Sequence, residues 1–272
     1  VFLVAINFSF LPVPIVWLLA VGGAVVFGAA WAFIPAYLQA TRGSHVVITT
    51  IMFNFIAASL MVFLLVDVIR DTTQMGPHTV ALPEEQWFPG FEDFAALFGV
   101  KIRYSPLNIS FLLAIAASFF VWFLVWKTRW GYEMRAVGHN TQAAIYAGIS
   151  PYKNIIIAMC ISGGLAGLLG VNEILGVHHK IVAGFPAGYG FTGIAVALMG
   201  RNHPIGIFPA AFLFGILYQG GSEVTFDMPN ITRYMFVAVQ GVIILFSGAL
   251  ENLFRPQIES FFVNRLNREV RS

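Results

Sequence analysis

Seven stretches of this chain run on in apolar residues with almost no charge: roughly 15–38, 46–67, 107–126, 154–176, 189–200, 203–220 and 231–250. A helix that crosses a bilayer needs about 20 such residues. Only helices and closed barrels satisfy their own backbone polar groups in hydrocarbon. Five of the stretches reach that length. The stretch 203–220 is slightly shorter and still reads as a span. The stretch 189–200, YGFTGIAVALMG, is too short to cross untilted. It reads as a partial helix, or as the end of a helix with an irregular entry. None of the runs alternates with period 2, and all but 189–200 far exceed the roughly 10 residues of a barrel strand. The fold class is therefore all-α, a polytopic helical membrane protein with about seven transmembrane segments in this chain. Composition agrees: 58% of the 272 residues are hydrophobic and 10% charged, against about 25% charged in soluble domains. Residues 1–256 form one transmembrane domain and 257–272 a basic tail. Residues 1–11 look like the remnant of an earlier apolar segment, and no basic n-region opens the chain. Upstream helices are expected to precede Val1.

Charge orients the spans, since basic residues favour the cytoplasmic side. With the segment 127–153 inside and spans alternating from there, ten of the fifteen Lys and Arg fall inside: Arg42, Lys127, Arg129, Arg135, Lys153, Arg201, Arg255, Arg265, Arg268 and Arg271. Asp67, Asp71, Glu84, Glu85, Glu92, Asp93, Glu223 and Asp227 fall outside. This arrangement requires 189–200 to count as a crossing. Without it the last two helices invert and the basic tail faces out.

The longest connection, 68–106, is external. Its aromatics Trp87, Phe88, Phe91 and Phe94 suggest a packed mini-structure on the membrane surface; a plain spacer is the alternative. Small residues four apart mark packing seams, because helices in lipid associate through close approach. Ala24 and Gly28, Gly163 and Gly167, and Ala211 and Gly215 have that spacing.

Polar residues inside spans are few. Glu173, preceded by Asn172, is the one carboxylate well inside a span, and an intramembrane ionisable residue is a functional candidate. A hydrogen bond to a neighbouring helix, or a place near the outer interface, is the other reading. Asn54, near the middle of its helix, bonds either a permeant or another helix. Gln219 and Gln240 are weaker candidates of the same kind. His178, His179 and Lys180 cluster outside, but two adjacent histidines make no metal site without further ligands. His139 and His203 fall in inner turns as surface or capping residues. Cys160, the single cysteine, reads as a small buried residue. No metal site, catalytic constellation or phosphate-binding loop is expected, so energy for uphill transport comes from an ion gradient or another polypeptide.

The segment 136–150, AVGHNTQAAIYAGIS, is polar, small and neutral between two apolar spans. Asn140 or Thr141 caps a short helix, Gly148 ends it in the left-handed conformation, and Ser150 caps the next helix with Pro151 at its first position. Ala143, Ala144 and Ala147 offer a close-approach face and Tyr146 a protruding aromatic. Such a knob suits docking into a cleft on another protein; a helix resting on lipid is the bland alternative.

The stretch RAVGHNTQAAIYAGIS resembles the cytoplasmic coupling loop of inner-membrane permease subunits of ATP-binding-cassette importers, in the branch that serves ribose-type sugars, nucleosides and branched-chain amino acids. The pattern is met by Gly138, Asn140, Ala143, Ala144, Gly148 and Ile149. The run 163–206, with its Gly-Tyr-Gly-Phe-Thr-Gly and Gly-Arg-Asn-His-Pro motifs, and VVITTIMFNFIA at 46–57 look most like the nucleoside (basic-membrane-lipoprotein-associated) permeases. The likeness runs from about residue 20 to 256. One departure is Val46, which stands where the family usually has an acidic residue.

The resemblance implies a half-transporter in a bacterial or archaeal plasma membrane. Its partners would be a second permease subunit, ABC ATPase subunits that bind ATP and Mg, an external substrate-binding lipoprotein and the lipid bilayer, with no nucleic acid. The chain itself would hold no cofactor and do no covalent chemistry. ATPase coupling would fall to Gly138, Asn140, Ala143, Ala144, Tyr146, Ala147 and Gly148. Asn54, Glu173, Phe191 and Thr192 would line the substrate path, with an aromatic stacking on a base. Ribose-type sugars or branched-chain amino acids are the rival cargoes. An ion-coupled secondary transporter is the rival machine, though such proteins often place charges at the midplane, and here only Glu173 offers one.

Overall fold

The structure is a computed structural model that describes residues 1–8, 10–70, 76–91, 107–184, 188–228 and 235–246. The chain divides into two compact units, Val1–Phe185 and Pro186–Ser272.

The first unit holds α1 (Phe2–Asn7), α2 (Val13–Arg42), α3 (Val46–Phe63), α4 (Ser110–Lys127), α5 (Arg129–His139), α6 (Thr141–Tyr146) and α7 (Pro151–Val171). Two of these widen at their C-terminal ends into π-helical turns, α3 at Leu64–Val68 and α7 at Asn172–Val177. The second unit holds α8 (Tyr189–Met199), α9 (Pro204–Asp227) and α10 (Met235–Phe246). Among the described residues, five helices are long and apolar enough to span: Val13–Arg42, Val46–Val68, Ser110–Lys127, Pro151–Val177 and Pro204–Thr225. The stretch 189–200 is a helix of 11 residues. At about 1.5 Å per residue it falls well short of a hydrocarbon core of about 30 Å. Of the expected span 231–250, the described part is helical over Met235–Phe246. The basic tail 257–272 lies outside the described residues, as do the stretches 71–75 and 92–106 of the external connection, Phe94 included.

Two of the expected seams are each other's partners. α2 and α7 cross so closely that a methyl added to Gly28 would fall on the Gly163 carbonyl oxygen. One added to Gly167 would fall on the Ala24 carbonyl oxygen, and one on Gly163 would meet the Ala32 methyl. Backbone-to-backbone contact of this kind gives helices in lipid the van der Waals packing that no hydrophobic effect supplies there. α3 behaves in the opposite way. None of its 18 residues is buried, although the Trp31 and Phe53 rings meet edge to face at 5.8 Å.

Over its described part the long connection 68–106 is packed, as its aromatics suggest. Its described stretch 76–91 is stitched by main chain to the C-terminal end of α7 and the residues just after it. Thr79 N–H donates to the Ile181 carbonyl at 3.2 Å, Leu82 N–H to the His179 carbonyl at 2.8 Å and Phe88 N–H to the Leu175 carbonyl at 2.9 Å. Trp17 of α2 donates its indole N–H to the Gln86 carbonyl at 2.9 Å and meets Phe88 edge to face at 5.3 Å. Leu82 and Phe88 thereby join Val16, Ala20, Val171 and Leu175 in the core of this unit.

In the second unit α8 and α9 fold back on one another around Ala195, Val196, Ala210 and Phe214. The turn between them is tight: Gly200 and Gly206 touch backbone to backbone, and Arg201 and Asn202 both hold positive φ, 55° and 53°. His203 caps α9, its Nδ1 accepting from Ile205 N–H at 3.3 Å, as the sequence predicts. The third expected seam finds no counterpart: a methyl on Gly215 would meet nothing within 4 Å among the described residues.

Candidate functional site

The segment between α4 and α7 is built from local rules. α4 stops at Lys127, and Thr128 caps the next helix by accepting from Gly131 N–H at 3.2 Å. Gly131 lies directly on the Leu124 and Val125 carbonyls, where no side chain fits. α5 is thereby folded back hard against the end of a span. Asn140 ends α5 and begins α6, its Oδ1 accepting from Ala143 N–H at 3.1 Å. After Tyr146 the chain leaves through Gly148 at φ 78°, with Ile149 N–H bonded back to the Ala144 carbonyl at 2.9 Å. Only a residue tolerant of that left-handed conformation closes such a helix cheaply.

The sequence reading of α6 therefore stands in its caps and needs correcting in its faces. Ala144 is not part of an outward face; it is 3% exposed, turned into the protein's own interior. With six residues, α6 shows too little of the 3.6 period for a sequence to say which alanine turns in. What faces outward is Ile145 at 50% and Tyr146 at 91% exposure, flanked by exposed Ala143, Ala147, Gly138 and Gly148. Ile145 is the residue the sequence reading missed. Ser150 also departs from expectation: its hydroxyl makes no cap, and its carbonyl instead accepts from the Asn154 side-chain amide at 3.0 Å.

In the π turn at the C-terminal end of α7, Glu173 is 6% exposed and held by its own chain. Asn172 Nδ2 donates to its Oε1 at 3.2 Å, and His178 Nε2 lies 3.4 Å from its Oε2. Ser110 Oγ, at the start of α4, lies 2.6 Å from Asn172 Oδ1 and also against Asn108 Oδ1. Asn108 Nδ2 donates to the Gly176 carbonyl at 3.1 Å. The polar set so joins α4 to the end of α7. Asn108 and Ser110 were not singled out from the sequence; an Asn-x-Ser before an apolar run is their only signal. Next to this set His179, at φ 56°, stacks flat on Trp87 with ring centroids 3.8 Å apart. Burial pushes its imidazole below the ordinary histidine value; the Leu175 carbonyl opposes that shift and His178 adds to it.

The other path candidates differ from Glu173. Asn54 is exposed on α3. In the second unit Phe191 is 69% exposed on the first turn of α8, and Thr192 Oγ1 donates to the Gly188 carbonyl at 3.3 Å. Gln219 bonds Glu223 at 3.3 Å along α9, and Gln240 is buried in α10. Among the described residues no group of three His, Cys, Asp or Glu is placed to hold a metal ion.

Residues 2–248 match the family described as branched-chain amino acid transport system / permease component. The chain is 36% identical over 231 residues, 84% of its length, to the guanosine ABC transporter permease protein of Bacillus subtilis. It is 35% identical over 247 residues, 86% of its length, to the nucleoside ABC transporter permease protein of Lactococcus lactis. It is also 31% identical over 266 residues, 97% of its length, to the glucose ABC transporter permease protein of Haloferax volcanii. It spans 63%, 65% and 69% of those three relatives' own lengths. No solved structure matches it.

Proposed function

Because this chain belongs to the family of branched-chain amino acid transport system permease components, we propose that it is the membrane subunit of an ATP-driven nucleoside importer in the plasma membrane. The observation that carries the cargo is the pair of relatives at 36% and 35% identity whose names specify guanosine and nucleosides. The permease pairs with a second permease subunit, and separate ABC ATPase subunits bind ATP and Mg and do the hydrolysis. An external substrate-binding lipoprotein delivers the nucleoside to the outer face.

The inner knob supports the coupling half of this reading. α6 is capped at both ends, and Tyr146 projects almost fully into solvent. A tyrosine on a short capped helix has only two side-chain torsions to fix on entering a pocket, which helps make Tyr a frequent anchor at interfaces. Gly138, Asn140, Ala143, Ala147 and Gly148 shape and present the knob, while Ala144 roots it. Asn54, Phe191 and Thr192 are available to the substrate path, since each leaves polar or aromatic surface unburied by its own unit. Glu173 serves the path indirectly, by holding its outer wall.

The test is uptake of labelled guanosine or uridine by cells expressing the full transporter, with and without the ATPase subunit, under excess unlabelled nucleoside, glucose or leucine. ATPase-dependent uptake blocked by nucleosides alone is the expected result. Blockade by glucose would favour the cargo named for the Haloferax relative. Uptake indifferent to the ATPase would overturn the importer reading. Tyr146→Ala should cut uptake at least tenfold and weaken retention of the ATPase on the purified permease, with permease levels unchanged.

A further inference from the structure

α5 has a position, a rigidity and a charge that the coupling role of α6 does not use. It begins two residues after a span ends at Lys127, so it cannot leave the membrane–water boundary. Gly131, wedged on the carbonyls of α4, fixes its orientation there. Between residues 107 and 153 the sequence holds four cations, Lys127, Arg129, Arg135 and Lys153, and one acid, Glu133, a net of +3 (4 − 1). That acid is spent on Arg129 at 3.0 Å. Lys127 lies over the Trp122 ring at 5.6 Å. Among the described residues no carboxylate pairs with Arg135. Arg129, Tyr132, Arg135 and His139 follow one another at three, three and four residues, a helical face, and all four are exposed. Tyr132, on this face, is 62% exposed; Trp130, five residues before Arg135 and so about 140° around the axis from it, is 59% exposed on another side of α5. Aromatics beside cations at this depth are the residues that settle among lipid headgroups.

We propose that this face of α5 binds the headgroup phosphate of an anionic phospholipid in the adjoining leaflet. Charge complementarity selects the anionic lipid over a neutral one, and the aromatics select a bilayer over free phosphate in solution. Bound lipid holds α5 at a fixed depth. α6 starts one residue beyond α5, so the same lipid steadies the base of the knob. That consequence rests on the coupling reading of α6; the binding does not.

The test uses the purified full-length permease in nanodiscs of phosphatidylcholine, with brominated phosphatidylglycerol or brominated phosphatidylcholine titrated in. The reporter is the emission that Tyr132→Trp adds on this face, with Arg135 varied in that background. Quenching by phosphatidylglycerol at several-fold lower content than phosphatidylcholine is expected. Arg135→Gln should reduce that preference roughly fivefold, the effect of one basic residue near an anionic surface. Arg135→Lys should keep it, which separates lost charge from lost fold. Equal quenching by both lipids would overturn the proposal. So would an unchanged preference in Arg135→Gln, or competition by millimolar inorganic phosphate. Loss of ATPase retention in Arg135→Gln with lipid preference intact would assign the face to the ATPase instead. None of these readings depends on uptake, so a wrong cargo or a wrong machine leaves them informative.

Discussion

α2 and α3 are neighbours in sequence, both long, both apolar, and they end up in opposite circumstances. α2 is threaded against α7 through Ala24, Gly28, Gly163 and Gly167, with backbone on backbone. α3 carries no such seam and buries none of its residues within the unit. Hydropathy brought both helices into the membrane; the placement of a few small residues decided which of them this chain keeps for itself. α3, with Asn54 on an open face, is left for lipid, partner or permeant.

Substitutions can break that contrast or sharpen it. The largest effect is expected at the crossing. Gly163→Leu puts a side chain where the Gly28 carbonyl and the Ala32 methyl stand, and overpacking costs about 1–3 kcal/mol even where neighbours can yield. Here the neighbour is backbone, so the folded permease should be lost, read as disappearance of the monodisperse peak in detergent. A well-folded Gly163→Leu protein would remove the seam from the account. Glu173→Gln comes next. It keeps the bond from Asn172 and replaces the carboxylate oxygen facing His178 with an amide, at a cost of about 0.5–1.5 kcal/mol. A lower melting temperature at normal initial uptake rate is expected; lost uptake at unchanged stability would make Glu173 a substrate contact after all. A smaller effect belongs to pH. The lowered His179 titration disfavours the charged imidazole in the folded protein. The neutral stack on Trp87 therefore contributes above the ordinary histidine value of about 6.5 and is lost as pH falls through the lowered one. Trp87 emission should change in that window and stay flat in His179→Phe. The smallest effect sharpens the other side: Phe55→Ala on α3 should change stability by no more than about 0.5 kcal/mol, leaving the melting temperature nearly unmoved.

What the sequence made legible was local. Asn140, Gly148 and Pro151 mark their helix ends by backbone rules that hold wherever they occur, and the structure puts the ends there. The seams were visible as seams, but nothing in Ala24-to-Gly28 spacing says that Gly163 is the partner, since that choice is made over more than a hundred residues. The docking of 76–91 was invisible for a different reason. Its ties run from Thr79, Leu82 and Phe88 N–H groups to carbonyls, and every residue but proline owns those groups. The network around Glu173 was half visible: the carboxylate stood out, while Ser110 and Asn108 looked like ordinary helix-start residues.

The wide turn at Asn172–Val177 governs phase. In an α-helix residues five apart lie roughly 140° from one another around the axis, at about 100° per residue. Glu173 and His178 would then look in different directions. Here His178 N–H bonds to the Glu173 carbonyl at 2.8 Å, the i→i+5 pattern of a π turn, and their side chains stand one above the other. Their meeting is thus an arithmetic property of chain length. Removing a single residue from the turn would rotate everything beyond it, His178, His179 and the strand-like pairing with Thr79 included, without altering any of the chemistry those residues carry.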